Sequence, residues 1–320
     1  MSKPLVSICC LTYNHEKYIR VCLEGFLMQQ ANFDFEVLIH DDASTDKTAD
    51  IIREFETKYP NIIKPIYQSE NQYSKGVGVT RVYNFTRAQG KYIAMCEGDD
   101  YWTDPLKLQK QVDFLEANKD FGVIHTDTQV YYQNSDKFIK SLNKSKYSNL
   151  VNHKNPAEAL ILSRYSIYTL TVLFRASLIE KVDFDEFKKF KMGDLPLWLT
   201  FAQHTNFFYL DQTTAVYRKT VGSASNPVDK STKLEFKISS KEVRLYFAKL
   251  LQLKTSTVNE ISDQYHKAVL RKKFEDKESA NVSKVFFSIH KKSIKDVILL
   301  WGCKSRMFNT IVKKVLPSMS

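Results

Sequence analysis

Short apolar runs alternate with amphipathic segments over the first two thirds of the chain. Residues 5–11, 35–39 and 62–67 have the length and the β-branched or aromatic composition of buried strands. Between these runs, apolar residues recur at spacings of three and four, which predicts helices. The predicted inward faces are Ile19, Cys22, Leu23, Phe26 and Leu27 in the first helix and Ile51, Ile52, Phe55 and Tyr59 in the second. Because strands and helices alternate, we expect parallel strands whose carboxyl ends open at one edge.

Further elements follow the same pattern up to about residue 210. Predicted strands cover residues 91–96, 122–126, 170–174 and 206–210, and predicted helices cover residues 80–89 and 106–116. A polar stretch rich in Lys, Asn and Ser, residues 134–154, predicts a loop. The sequence therefore indicates an α/β protein with a mixed, mostly parallel sheet flanked by helices.

A dense cluster of acidic residues follows the predicted strand at residues 91–96. Glu97, Asp99 and Asp100 stand around Gly98. Carboxylates this close raise one another's proton affinity, so a cation among them would stabilise their charged forms. Oxygen ligands favour Mg²⁺ or Mn²⁺ over Zn²⁺. The alternative is a solvated acidic turn, because Asp and Gly are ordinary turn residues.

Polar residues also follow the first two predicted strands. Thr12, Tyr13 and Asn14 come directly after the first, and the run at residues 41–46, which includes Asp42, follows the second. Since the carboxyl ends of parallel strands share one edge, all three motifs are expected to meet in one crevice. Neither G-x-G-x-x-G nor a P-loop follows the first strand. A nucleotide in this crevice would therefore be held without a glycine cradle, and a metal would serve that purpose.

A further carboxylate, Asp194, follows Gly193 and precedes an apolar helical segment that contains Trp198. An Asp in this setting is most often a helix N-cap. The functional alternative is a general base at the mouth of the crevice.

Charge and cysteine content narrow the class of protein. The net charge is +11, and the segment from Thr232 onward holds 19 Lys and Arg against 8 Asp and Glu, so the whole excess lies there. A uniformly basic nucleic-acid binder would not divide its charge in this way. The five cysteines show no ligand spacing, which indicates buried thiols in a reducing compartment and no zinc site. With no signal peptide and no apolar stretch of about 20 residues, we expect a cytoplasmic protein.

The C-terminal region, residues 229–320, is predicted to be helical and basic. It carries two apolar stripes: Ile294, Val297, Ile298 and Trp301 in one, and Phe308, Ile311, Val312 and Val315 in the other. Basic amphipathic helices of this composition suit the surface of an anionic bilayer. The alternative is that the stripes pack on the rest of the protein while the lysines are solvated.

Four segments together resemble the family 2 glycosyltransferases. They are V-S-I-C-C-L-T-Y-N-H near the N-terminus, D-D-A-S-T-D at residues 41–46, E-G-D-D-Y-W at residues 97–102, and G-D-L-P-L-W at residues 193–198. Their order and spacing match over about residues 4–225. The resemblance implies a GT-A, Rossmann-like fold and an inverting enzyme that uses a nucleoside-diphosphate sugar, with UDP the first expectation. The implied acceptor is a glycan or a lipid-linked glycan of bacterial cell-surface polysaccharide assembly, at the inner face of the cell membrane.

The resemblance also assigns roles to residues. Tyr13 would pack on the nucleotide base beside Thr12 and Asn14, and Asp42 would accept a hydrogen bond from the ring N–H of the base. Arg81 lies where the family often has a basic residue near the nucleotide. Of the DxD-type pair, Asp99 would contact the ribose and bind metal, and Asp100 would bind the Mn²⁺ or Mg²⁺ that bridges the phosphates. Asp194 matches the catalytic base.

Two departures from the family pattern keep other functions open. Glu97 stands at the first acidic position and reaches further than Asp, and Thr220 stands where many relatives carry a His. They leave room for an inactive sugar-nucleotide-binding scaffold. A nucleotidyltransferase is less favoured, because the basic glycine-rich loop that it needs after the first strand is absent. In the preferred interpretation, residues 1–228 form the catalytic domain, with the nucleotide-sugar site in about 1–105 and the acceptor side in about 106–228.

Overall fold

The computed structural model describes residues 3–143, 156–220 and 228–315. The chain divides into two compact units, Met1–Lys188 with Leu197–Thr220 and Lys189–Pro196 with Val221–Ser320. The domain boundary predicted after residue 228 stays a prediction.

Within the described ranges, nine strands form one sheet in the first unit. The strands are β1 (Val6–Thr12), β2 (Phe35–Asp41), β3 (Ile63–Tyr67), β4 (Tyr92–Met95), β5 (Tyr101–Trp102), β6 (Phe121–Tyr132), β7 (Lys137–Ile139), β8 (Val172–Arg175) and β9 (Asn206–Lys219). The spatial order is β3-β2-β1-β4-β8-β6-β9-β5, and β7 pairs with β6. The α-helices that the structure gives with described bounds up to residue 201 are α1 (Ile19–Leu27), α2 (Thr48–Lys58), α3 (Lys107–Ala117), α4 (Pro156–Ile161), α5 (Phe184–Phe187) and α6 (Asp194–Phe201).

The first half of the sheet is parallel, as the pattern predicted. β1 pairs in parallel with β2 on one side and β4 on the other, and β2 pairs in parallel with β3. These strands are short apolar runs because helices cover the sheet, and Ile8, Val37 and Ala94 are fully buried. The inward residues predicted for α1 that lie fully buried are Ile19, Cys22, Leu23 and Phe26, and they belong to the same core.

The second half of the sheet is mixed, and two of its strands are much longer than predicted. β8 runs antiparallel to β4 and β6, whereas β6 and β9 run parallel to each other over almost their whole length. The predictions ended at residues 126 and 210, where the apolar pattern stops. The strands continue because cross-strand bonds satisfy buried polar groups, such as Thr126 Oγ1 with Thr214 Oγ1 at 2.6 Å.

Two other predictions need correction. The helix predicted over residues 80–89 is a π-helical turn, Thr80–Asn84, followed by a 3₁₀ turn, Phe85–Arg87. The pattern did not distinguish these turns from an α-helix, because side-chain spacing over so short a segment does not show which backbone hydrogen bonds form. The loop predicted over residues 134–154 contains β7, which forms a hairpin with β6. Residues 144–154 of that stretch lie outside the described residues.

The second unit is helical in the part of it that the structure describes. Its helices are α7 (Lys230–Leu250), α8 (Thr255–Glu275), α9 (Val282–Phe287), α10 (Ile294–Lys304) and α11 (Arg306–Val315). α8 to α11 share a small core around Leu270, Phe274 and Leu299. A capping box between Ser293 and Asp296 starts α10. In the described ranges no helix has the length and apolar character that a membrane span requires.

Candidate functional site

The carboxyl ends of β2, β1 and β4 lie side by side, because these strands are neighbours in the parallel half of the sheet. Backbone bonds continue the pairing past the strand ends. Asp42 N–H donates to Thr12 O at 3.0 Å, and Gly98 N–H donates to Leu11 O at 2.8 Å. The three predicted motifs therefore meet at one edge of the sheet, which is where open α/β sheets bind ligands.

The loops after β1 and β2 are tied to each other by side chains. Asn14 Oδ1 accepts a hydrogen bond from Thr45 N–H at 2.8 Å, and Asn14 N–H donates to Ser44 Oγ at 2.9 Å. Asn14 and Ala43 both have positive φ, at 54° and 64°. Such a backbone costs roughly 1–2 kcal/mol for Ala43 and less for Asn14, because asparagine adopts it more readily, so the cross-links help to hold the two loops in this shape.

The acidic turn after β4 is packed against the end of β1 so closely that only glycine fits at its centre. A Cβ added to Gly98 would lie 2.6 Å from Thr12 Oγ1 and 3.0 Å from His15 Nδ1. These two atoms are themselves within hydrogen-bond distance, at 3.1 Å. The backbone that carries the carboxylates is therefore fixed against the neighbouring strand end.

Asp42 is buried, and its carboxylate organises the loop that follows β3. Its Oδ1 accepts from Gln72 N–H at 2.7 Å and its Oδ2 from Tyr73 N–H at 3.0 Å. Asn71 Nδ2 donates to the backbone oxygen of Asp42 at 3.2 Å. Tyr13, the other predicted base contact, is 44% exposed. An exposed ring after β1 and an anchored carboxylate after the neighbouring β2 form an arrangement that can receive a planar, polar ligand.

Asp100 is the most deeply buried of the three acidic residues, with 2% of its surface exposed. Burial raises the pKa of its carboxyl well above the ordinary range, and the neighbouring Asp99 and Glu97 charges raise it further. Glu97 and Asp99 are only half-buried. The turn thus holds an unfavourable concentration of negative charge that a cation would relieve.

Arg218 is a functional candidate that sequence reasoning missed. It lies near the end of β9, and its backbone N–H donates to Asp100 Oδ1 at 2.7 Å while its Nε donates to Asp99 O at 2.9 Å. Its guanidinium lies over the rings of Tyr18, Tyr101 and Tyr131, at 4.7, 5.3 and 5.5 Å from their centroids. The sequence offered one indication of this role: Arg218 is a basic residue in the part of β9 that continues beyond the predicted strand end at residue 210.

The chemistry of the donor set fits a divalent metal that is bound partly by a substrate. In the ranges that the structure describes, no three His, Cys, Asp or Glu side chains converge as a ready-made cage. Mg²⁺ in proteins is commonly held by one or two carboxylates together with substrate phosphates. Asp99 and Asp100 supply such a pair at the strand end, and Glu97 does not complete a three-residue cage with them.

The other two predicted site residues, Arg81 and Asp194, belong to different units of the structure. Arg81 is exposed, with its guanidinium 4.9 Å from the Phe184 ring centroid and Nη1 3.6 Å from Asp185 Oδ1. Asp194 is the first residue of α6 and belongs to the second unit. Asp194 is exposed, and its Oδ1 accepts a hydrogen bond from Leu195 N–H at 2.8 Å. Desolvation by the surrounding protein nevertheless raises the pKa of its carboxyl.

Comparisons with known proteins agree with this architecture. TarS of S. aureus, residues 1–349, solved in complex with UDP-GlcNAc, superposes with a TM-score of 0.56 at 18% identity, over 97% of this chain and 91% of that one. The putative teichuronic acid biosynthesis glycosyltransferase TuaG of Bacillus subtilis is 29% identical over 77% of this chain and 92% of its own length. An uncharacterized protein of Mycobacterium tuberculosis, Rv1520, is 35% identical over 67% of this chain.

The fold and the strand-end carboxylates define an α/β protein of the GT-A type. The family model for glycosyl transferase family 2 matches residues 7–182, and the chain belongs to that family. The match to Rv1520 spans only 58% of the length of that relative.

Proposed function

We propose that this chain is an inverting glycosyltransferase that moves a sugar from a nucleoside-diphosphate sugar to a hydroxyl of a glycan or lipid-linked acceptor in bacterial cell-surface polysaccharide assembly. The observation that carries the proposal is that Asp42 and the Asp99 and Asp100 pair lie at the carboxyl ends of β2 and β4, on either side of β1, in a family 2 chain. UDP is the favoured nucleotide, because the TarS structure of the same fold holds UDP-GlcNAc. The name of TuaG supports a polysaccharide product.

The donor site is assigned to the three strand ends. Tyr13 packs on the nucleobase, Asp42 accepts from its ring N–H, and Thr12 and Asn14 shape the loop around it. Asp99 binds the ribose. Arg81 is the remaining proposed contact, and its exposed guanidinium must leave Phe184 and Asp185 to reach the nucleotide.

In this proposal, a metal ion and Arg218 together neutralise the negative charge of the diphosphate. Asp99 and Asp100, with Glu97 as a third candidate ligand, would hold Mn²⁺ or Mg²⁺, which would supply positive charge to the leaving phosphates. Arg218 is fixed beside the same turn and presents a permanent cation held by tyrosine rings. Many relatives carry a His where this chain has Thr220. Arg218 offers the diphosphate a cationic contact in place of that His.

Inversion requires one displacement at the anomeric carbon. The acceptor hydroxyl attacks that carbon, the bond to the nucleoside diphosphate breaks, and a base takes the hydroxyl proton. Asp194 is assigned this role from its family motif. Its exposed carboxylate at the start of α6 and its raised pKa both suit a base, because a higher proton affinity favours proton transfer in the transition state.

Calorimetric binding of UDP, with dTDP, GDP and CDP as controls, tests the donor site. Each nucleotide is titrated with and without Mn²⁺ into the wild type and Asp99→Asn. We expect one nucleotide to bind in a metal-dependent way and the variant to lose that binding. Binding without hydrolysis of any nucleotide sugar would favour an inactive scaffold, and binding of none would refute the donor site.

The C-terminal helices are proposed to lie on an anionic membrane surface. Of the two predicted stripes, Ile298 packs against the small core and Val312 is buried. The remaining members are exposed: Ile294, Val297, Trp301, Phe308, Ile311 and Val315. Exposed Trp and aliphatic side chains beside basic residues such as Lys295 and Lys314 suit an interface of lipid headgroups. Such a position would bring the enzyme to a lipid-linked acceptor.

A further inference from the structure

His40 is a fully buried histidine whose polar atoms are unused. It lies in β2 with none of its surface exposed, and in the part of the chain that the structure describes neither ring nitrogen has a hydrogen-bond partner. A neutral imidazole always carries one N–H donor, and leaving a buried donor unpaired is unfavourable. If this side chain only filled space, an apolar residue would do so without the free-energy cost of an unpaired N–H. The ring therefore needs an explanation beyond packing.

The surroundings of His40 fix the plane of its ring. Tyr83, in the π-helical turn, stacks on the imidazole with centroids 4.5 Å apart and ring planes 7° apart. Arg87 secures this turn, since its Nε donates to Tyr83 O at 2.6 Å and its Nη2 donates to Ile39 O at 2.8 Å. A stacked ring can move within its own plane more easily than it can tilt. The stacking therefore keeps the ring nitrogens of His40 pointing towards the groups that lie in the plane of the ring.

The group beside that edge is the carboxylate of Asp42. His40 Nε2 lies 3.9 Å from Asp42 Oδ1, about 1 Å longer than a hydrogen bond. Oδ1 is meanwhile held by Gln72 N–H, in the loop after β3. A small shift of the carboxylate or of the ring in its plane would bring donor and acceptor together. After such a shift, His40 would donate a hydrogen bond to Asp42, the residue assigned to the nucleobase.

We propose that His40 is a positioning residue for nucleobase recognition: its Nε2–H donates to Asp42 Oδ1 when a base binds, and orients the other carboxylate lone pairs towards the ring N–H of the base. This inference rests on the proposed function, because it takes the assignment of Asp42 from there. His40 does not touch the nucleotide. It sets how strongly the site prefers bases that carry a ring N–H, as uracil and guanine do, over cytosine and adenine, which do not.

The preference between UDP and CDP measures this role directly. His40→Phe keeps a planar ring against Tyr83 and removes the donor, whereas His40→Gln keeps an N–H donor and loses the ring. We expect His40→Phe to weaken UDP binding by about 10-fold and to change CDP binding by less than about twofold. We expect His40→Gln to recover part of the preference for UDP. Equal losses for UDP and CDP in His40→Phe would show a purely structural role and overturn the proposal.

A second measurement needs no variant and covers the case in which His40→Phe fails to fold. The imidazole nitrogens of histidine-labelled wild-type protein are followed by ¹⁵N NMR during titration with UDP or CDP. We expect UDP to shift the His40 Nε2 resonance as its N–H becomes hydrogen bonded, and CDP to leave it unchanged. An unshifted resonance at saturating UDP would overturn the proposal.

Asp42→Asn separates this inference from the proposed function. An Asn side chain can donate as well as accept, so this variant should lose the preference for UDP or reverse it towards CDP. If it does so while His40→Phe behaves as the wild type, only the role of His40 fails. If Asp42→Asn leaves the preference unchanged, the nucleobase assignment itself fails. Should calorimetry show GDP to be the nucleotide, GDP and ADP take the place of UDP and CDP.

Discussion

The backbone N–H of Arg218 donates to Asp100 Oδ1 at 2.7 Å, and this bond joins the end of β9 to the acidic turn after β4. The two residues are 118 positions apart in the sequence. The Arg218 side chain adds a second bond to the same turn, from Nε to Asp99 O. A cation is therefore built into the acidic turn by the fold, beside the carboxylates that we assign to the metal.

Replacing Arg218 tests whether this cation supports catalysis. Arg218→Ala removes the Nε bond and the contacts with three tyrosine rings but keeps the backbone bond to Asp100. We expect kcat/KM for release of nucleotide from the sugar donor to fall at least about 10-fold, and the free energy of unfolding to fall by about 1–2 kcal/mol. Arg218→Lys should give an intermediate activity. Lys219→Ala, at the next position, is the matched control, and equal effects of the two alanine variants would contradict a specific role.

Gly98→Ala tests the close packing of the acidic turn on β1. The new Cβ would meet Thr12 Oγ1 at 2.6 Å and Thr12 Cβ at 2.8 Å, so the turn or the strand end must shift. We expect metal-dependent nucleotide binding to weaken by at least about 10-fold and unfolding to become easier by about 1–3 kcal/mol. The control is Gly78→Ala, where an added Cβ meets nothing within 4 Å. Unchanged nucleotide affinity in Gly98→Ala would mean that the turn is not part of the site.

The sequence was sufficient for the parts of the site that are local. Strand ends follow from where an apolar run stops, so Asp42 and Asp99 could be placed at the edge of the sheet before their partners were known. Arg218 could not be placed, because its role depends on a strand pairing that no local pattern encodes. His40 was hidden for a similar reason, since its ring stacks on Tyr83 in a π-helical turn that the sequence pattern did not distinguish from an ordinary helix.

We expect Lys107 to make the stability of the first unit depend on pH. It is fully buried, its Nζ donates to Gln111 Oε1 at 2.7 Å and lies 4.3 Å from the Trp102 ring centroid, and burial lowers its pKa to about 7. Between about pH 7 and pH 10 the unfolded chain binds this proton and the folded chain does not, so stability rises with pH by up to about 1.4 kcal/mol per unit. Below about pH 7 both states carry it and the dependence ends.

Lys107→Met should remove this dependence while keeping the volume of the side chain. Denaturant unfolding between pH 6.5 and 9, read at half-unit steps, measures the slope of the free energy against pH in about six points. The loss of the Gln111 bond affects the absolute stability of the variant, so the slope is the informative quantity. Lys119→Met, on an exposed lysine, should keep the wild-type slope. A slope that is the same in all three proteins would show that Lys107 stays charged when buried.

Membrane binding by α10 and α11 is testable with vesicles. The double variant Trp301→Gln and Ile311→Gln changes two exposed apolar side chains and no charge. We expect it to reduce co-sedimentation with phosphatidylglycerol vesicles by at least about 10-fold relative to the wild type, and to leave nucleotide affinity unchanged. Val228→Gln alters an apolar residue that is 73% exposed outside these helices and should bind as the wild type does. If the wild type binds neutral phosphatidylcholine vesicles equally well, the basic residues have no part in the interaction.

Asp194→Asn tests the assignment of the base. The amide keeps the size of the side chain and can still accept from Leu195 N–H, but it cannot take a proton. We expect the rate of nucleotide release from the bound sugar donor to fall by about 10²–10⁴-fold while nucleotide affinity stays within about twofold of the wild type. Because the pKa of Asp194 is raised, the wild-type rate should fall on the acid side at a pH above the ordinary carboxyl range, and the variant should lose this limb. Asp50→Asn, which alters an exposed carboxylate paired with Arg53 on α2, is the control and should keep both rate and profile. A variant with weakened nucleotide binding and an unchanged rate at saturation would place Asp194 with the donor contacts and leave the base to be found elsewhere.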